Sequence, residues 1–208
     1  MQRPIAKGKK TRLRFLERED VDAMLRWGRH EDPLLATYNM PTLGPRGGDE
    51  WYRARTHRAD FRIFAVFDRS GELVGRLSIR EIDNGRRRAR LGIALDPDRV
   101  GQGLGTDAVT TFLEFYFDSL RFEELVLDVA GHNLRARRCY EKCGFHYTGE
   151  RWQKDTALGE RLGLAIFTDE RFRDVRKFFR QTVSGLEVLF CDMHMTREQH
   201  LARRESPG

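Results

Sequence analysis

Asp96-Pro97-Asp98-Arg99-Val100-Gly101-Gln102-Gly103-Leu104-Gly105-Thr106 sets three alternate glycines where an apolar strand, Ile93-Ala94-Leu95, gives way to an amphipathic stretch from Gly105 to Ser119. In that stretch Ala108, Val109, Phe112, Leu113 and Tyr116 recur at helical spacing, which predicts a helix with one apolar stripe. A glycine loop that opens a helix after a strand offers backbone N–H groups with no side chains in the way, and the helix dipole adds to their pull on an anion. The amides of Gly101, Gln102, Gly103, Leu104, Gly105 and Thr106 therefore form a candidate cradle for a pyrophosphate. Glycine at 101, 103 and 105 would permit positive φ where the loop needs it.

Downstream, Leu125-Val126-Leu127-Asp128-Val129 reads as a strand. Asn133 is a good N-cap for a helix reaching Cys143, Gly144 suits its end, and Phe145 to Thr148 begins another strand. Upstream, Arg12 to Leu16 alternates polar and apolar as a half-buried strand does, and Glu17 to Asp20 opens an acidic helix running through Val21, Met24, Leu25 and Trp27. Glu31 to Gly48 holds three of the six prolines and little periodicity, so it reads as a loop suited to bordering a substrate cleft, with a second helix near Asp49 to His57. Phe61–Phe67, Leu73–Ile82 and Arg88–Leu95, joined by turns at Asp68-Arg69-Ser70-Gly71 and Asn84-Gly85, predict an antiparallel meander. From Arg151 to Gly185 the pattern loosens into an expected insertion, with a charged helix near Asp169 to Thr182 carrying Phe172, Val175 and Phe179 on one face. Leu186 to Met195 resumes a strand, and residues 197–208 read as a polar tail that frays.

At 208 residues the chain is long enough for one sizeable core, and the expectation is a single domain over residues 1–208. Fourteen phenylalanines within 39% hydrophobic residues can fill that core, while 34% charged residues imply a wet surface. No apolar run approaches the roughly 20 residues of a spanning helix. The basic stretch Met1 to Lys10 lacks the apolar centre of a secretion signal, so a cytoplasmic protein is expected. Cys139, Cys143 and Cys191 form no CxxC pair and are odd in number, which points to reduced packing residues and no metal site. The net charge of +6 favours an anionic partner. The run Arg86-Arg87-Arg88-Ala89-Arg90 follows a hairpin turn and has no interleaved aromatics, which reads as a solvated strand rim rather than a nucleic-acid platform.

This order of elements, with Val100-Gly101-Gln102-Gly103-Leu104-Gly105 and Asn133-x-x-Ala136-x-x-x-Tyr140-Glu141-Lys142-x-Gly144-Phe145, resembles the GNAT superfamily of acyl-CoA-dependent N-acyltransferases. The likeness covers roughly residues 11–150 and 186–197. Within the superfamily the chain is most similar to the branch with ribosomal-protein N-terminal, spermidine and antibiotic acetyltransferases. The family's loop signature is Gln/Arg-x-x-Gly-x-Gly/Ala; here Val100 holds its first position and Arg99 sits one residue early. The resemblance implies an α/β (α+β) fold, a mixed and mostly antiparallel seven-stranded sheet with helices on both faces and a helical insertion before the last strand.

The resemblance also implies acetyl-CoA as cosubstrate, no metal, and a primary amine as acceptor: a protein N-terminus, a polyamine or a small-molecule amine. Dimers are common among similar proteins. In such proteins the pantetheine arm pairs with the strand at Ile93, Ala94 and Leu95, whose N–H groups meet the oxyanion in a V-shaped opening beside the Leu125–Val129 strand. Tyr140 then stands beside the thioester sulfur and Asn133 near the pantetheine, although a tyrosine here also suits sheet packing and Asn133 also suits a helix cap. Asp128 takes the place of a water-mediated base, with Glu81, Asp83 and His132 as alternatives. Base assistance matters most for lysine-like amines, neutral in about one molecule in 2,500 at pH 7, against about one in ten for an α-amine. The rival expectations are a catalytically weak acyl-CoA-binding module that recognises a partner through residues 151–185, and a nucleic-acid-associated protein using the arginine hairpin.

Overall fold

The computed structural model describes residues 3–205; Met1, Gln2 and the last three residues of the expected tail lie outside the described range. In chain order the elements are β1 (Ala6–Lys7), β2 (Thr11–Phe15), α1 (Arg18–Met24), α2 (Gly47–Thr56), β3 (Phe61–Asp68), β4 (Leu73–Asp83), β5 (Arg88–Leu95), α3 (Leu104–Glu114), β6 (Glu124–Ala130), α4 (Leu134–Cys143), β7 (His146–Lys154), α5 (Thr156–Leu162), α6 (Ala165–Thr168), β8 (Phe179–Thr182), β9 (Gly185–Thr196) and α7 (Arg197–Glu205). The strands form one sheet in the order β1-β2-β3-β4-β5-β6-β9-β7, with β8 on β9.

The centre of the sheet is buried on both faces. On β3, Phe64 and Val66 join Leu77, Phe112 and Leu127 in the main core under α3 and α4. Ile63 and Ala65, pointing the other way, join Leu16, Val21, Met24 and Trp51 under α1 and α2. Continuous apolar runs such as Ile63 to Phe67 are what a strand covered on both faces requires. Every ladder is antiparallel except β5 with β6, which pair in parallel only at Arg88–Arg90 against Glu124–Val126. Past that point the two strands part, and the facing edges of Leu91–Leu95 and Leu127–Ala130 have no ladder partner between them.

Three expectations need correction. Among the described residues the sheet has nine strands rather than seven, because β1 and β8 add short edges. The turn from β1 into β2 is held by the Asp107 carboxylate, which accepts from the Lys9, Lys10 and Thr11 backbones. Residues 151–154 belong to β7, and no long helix spans 169–182. Asp169 instead caps one 3-10 turn, a second covers Arg176–Phe178, and Phe179 turns into β8. Burying both Phe178 and Phe179 against Leu34, Leu158 and Val188 is what selects the extended exit. The polar tail contains α7, started by reciprocal Thr196 and Gln199 hydrogen bonds of 2.9 and 3.2 Å and anchored by buried His200 on Phe117.

Candidate active site

The loop from Val100 into α3 bends through Gly101 at φ 84° and Gly103 at φ 76°, both in the left-handed region that favours glycine. Nothing lies within 4 Å of where a Cβ on Gly101 would stand. Gly105 differs from its expected use: it sits in helical backbone, and a Cβ there would press on Leu95 Cδ1 at 3.2 Å. Its service is close approach of helix to strand. Asp96 fixes the start of the loop by accepting from Asp98 N, 3.1 Å, and Gly28 N, 3.3 Å.

A cavity of about 560 Å³ fills the split between β5 and β6. Ile93, Ala94 and Leu95 line it from β5, and Gly101, Gly103, Gly105 and Thr106 from the loop. Asp128, Asn133 and Tyr140 complete the predicted residues that reach it. Gln102 and Leu104 do not line it: the Gln102 carbonyl accepts from Lys10 Nζ at 2.8 Å, and Leu104 is packed into the core.

Asn133 Oδ1 accepts from Ala136 N at 3.1 Å, so it caps α4 as well as bordering the cavity. Two turns on, Tyr140 is 6% exposed and packs edge-on against Phe145. Burial drives its phenol well above the ordinary tyrosine value, and neighbouring Cys139 adds to the rise. The same helix brings Arg135, Arg138 and Lys142 to the cavity, a basic face that the sequence reading missed although their i, i+3, i+7 spacing carried it.

Asp128 lies two residues beyond the last β5–β6 pair. Arg80 and Arg90 reach it from β4 and β5 at 3.0 Å each, and Arg151 from β7 at 3.4 Å. The carboxylate thus ties the two sides of the split where the ladder ends. The alternatives stand elsewhere: Glu81 is exposed and bonds Arg90, Asp83 caps its own turn, and His132 is held against Leu34 O and Phe179. None of the three lines the cavity. His30 does, together with Tyr38 from the loop after α1. Burial first, and then Arg135, lowers the His30 pKa, so its imidazole is neutral at pH 7. A lone histidine in an aperiodic loop gave the sequence no signal of this.

In the arginine hairpin, Arg87, Arg88 and Arg90 each meet a carboxylate within 3.2 Å, and Arg86 approaches Asp83 at 3.8 Å. That charge is largely balanced within the fold.

The acetyltransferase (GNAT) domain family matches residues 10–146. The chain belongs to the GNAT family. Among its relatives is a spermidine N(1)-acetyltransferase of Vibrio cholerae serotype O1, 26% identical over 80% of this chain and 90% of that one. Another is the spermidine N(1)-acetyltransferase of Escherichia coli K12, 30% identical over 67% of this chain and 74% of that one. A crystal structure of the Vibrio cholerae spermidine N-acetyltransferase in complex with CoA and spermine has the same fold, with a TM-score of 0.68 at 21% identity over 92% of this chain and 98% of that one. This GNAT protein is an acyl-CoA-dependent N-acetyltransferase that acetylates an amine.

Proposed function

We propose that the chain passes the acetyl group of acetyl-CoA directly to a primary amine inside the β5–β6 split. The observation that carries this reading is the coincidence, in one cavity, of the left-handed glycine loop, the open edge of β5 and the buried Tyr140 phenol. The residues suit the ligand. Loop amides and the α3 dipole complement a pyrophosphate, and Arg135, Arg138 and Lys142 supply positive charge for phosphate groups. Alternate N–H and C=O groups on the free edge of Leu91–Leu95 suit the amides of a pantetheine arm laid along it as an added strand.

The bound thioester supplies the activated acetyl group, and the chain's residues do the rest. N–H groups of the Ile93–Leu95 edge stabilise the oxyanion as the amine attacks. Tyr140 keeps its proton: with a phenol far above a thiol of about 8.5, transfer to the leaving thiolate is uphill, so the O–H acts by hydrogen bonding to the charge that develops. Neutral His30 accepts the proton from the attacking nitrogen, directly or through water. Asp128, with guanidiniums on both oxygens, positions the walls of the split and helps to order water there. Three unpaired thiols suit a reducing compartment, and we place the enzyme in the cytoplasm. No helix among the described residues is long and apolar enough to cross a membrane.

The test is amine-dependent thiol release from acetyl-CoA over a panel of peptide α-amines, peptide lysine, polyamines, aminoglycosides and amino acids, with the product identified by mass spectrometry. One responding class with a singly N-acetylated product is expected. Silence across the panel in protein that binds acetyl-CoA would count against transfer.

A further inference from the structure

β4 sends Arg76, Ser78 and Arg80 to one face of the sheet, opposite Ala65, Ile63 and Phe61 of β3 and beside Ala94, Gly92 and Arg90 of β5. This is the face under α1 and α2, away from α3 and α4, and Arg80, Gly92 and Ala94 line the cavity from it. Arg14, Arg80, Arg90 and Arg151 have carboxylate partners. Arg14 is held by Asp20 through two hydrogen bonds of 2.7 and 2.8 Å, and Arg80, Arg90 and Arg151 share Asp128, Glu81 and Asp192.

Arg76 and Arg55 break the pattern. Their guanidinium carbons lie 5.5 and 4.0 Å from the ring of Trp51, which is 6% exposed. Among the described residues neither is paired with a carboxylate, and the buried Nε of Arg76 has no hydrogen-bond acceptor. Arg55 has only the Trp51 carbonyl, at 3.2 Å. Burial lowers the pKa of Arg76 to about 10, with the like charge of Arg55 acting the same way, and burial alone lowers that of Arg55. Two neighbouring guanidiniums without a counter-ion are costly for a fold to keep, and a bound anion would remove the cost.

The other side of the cavity's charge balance agrees. Among the described residues Asp128 is its only acidic lining residue, and three guanidiniums already occupy it. A polycation reaching past its acetylated nitrogen would find no free carboxylate among the lining residues.

Resting on the acetyl-transfer reading above, we infer that the acceptor amine carries an oxyanion, a carboxylate or phosphate, bound by Arg76 and Arg55 over Trp51. Arg76 pairs across the ladder with Ala94, which lines the cavity, whereas Arg76, Arg55 and Trp51 do not line it themselves. The anion site therefore adjoins the cavity one strand away, and the acceptor's linker has to reach from one to the other.

The test compares matched acceptors: β-alanine against β-alaninamide, phosphoethanolamine against ethanolamine, and spermidine as the polycation, each kcat/KM corrected for the neutral fraction of the amine. A charged hydrogen-bond pair supports a preference of roughly 10- to 100-fold for the anionic member of at least one pair. Which pair responds tells carboxylate from phosphate. Arg76→Gln and, independently, Arg55→Gln are expected to bring that ratio close to one, with folding checked by thermal melting. Equal use of both members, or a preference for spermidine, would overturn the anion site and leave acetyl transfer standing. Calorimetric titration of phosphoethanolamine and β-alanine into CoA-saturated protein separates the remaining outcomes. Binding lost in Arg76→Gln but without transfer would uphold the anion site and overturn the transfer reading, whereas neither binding nor transfer would overturn the anion site.

Discussion

Asp128 was legible as a site residue and its surroundings were not. The expectation of a base at Asp128 came from the family resemblance alone, which puts a water-mediated carboxylate at that place. Its three guanidinium partners come from β4, β5 and β7, and no local spacing in the sequence predicts that meeting. Asp128→Asn separates the two roles. If the carboxylate is a tie, the variant loses activity through a loosened split, by about tenfold, yet kcat at saturating amine keeps an acidic limb below pH 6.5 that belongs to His30. Disappearance of that limb in the asparagine variant, and its survival in His30→Gln, would return the base to Asp128. The positive-φ glycines were readable because glycine suits a backbone φ near 80°, whereas Tyr140 was singled out through its match to the family motif that starts at Asn133. Arg76 was not, since its meaning comes from the absence of a carboxylate in three dimensions.

Elements were predicted well where their own residues decide them. The meander follows from Asn84-Gly85 and the apolar runs beside it, and α4 from Asn133 and Gly144 at its ends. Where packing decides, the sequence misleads. Phe172, Val175 and Phe179 are spaced for one helical face, but the segment needs Phe178 and Phe179 both buried against β9, and two short turns and a strand accomplish that. β1 is too short for any periodicity to show. α7 was legible after all: Thr196-Arg197-Glu198-Gln199 is a capping box, outweighed in the reading by a composition that looked like a tail. The split was expected only through the family resemblance, because nothing in Leu91–Leu95 or Leu127–Ala130 themselves announces that a parallel ladder stops after three pairs.

Over the whole molecule, three histidines share one physical condition. Burial lowers the pKa of His30, His132 and His200. At a pH below the unfolded value of about 6.5 the unfolded chain binds more protons than the folded one, so stability rises with pH through this window and is lost as pH falls. Melting temperature is expected to drop between pH 7.5 and 5.5, and His200→Gln to flatten the drop; a level profile would contradict it. The lowered carboxyls of Asp60, Asp68 and Asp169 act in a separate window, below their ordinary value of 3.8. Direct transfer requires the folded chain to bring thioester and amine together in one cavity and never to carry the acetyl group itself. Stopped-flow thiol release from acetyl-CoA, with and without the responding amine, in wild type and Tyr140→Phe, tests that most directly. Direct transfer predicts release only when amine is present, no initial burst, and a kcat about a hundredfold lower in the variant. A burst matching the enzyme concentration without amine, or an undiminished rate in Tyr140→Phe, would contradict it.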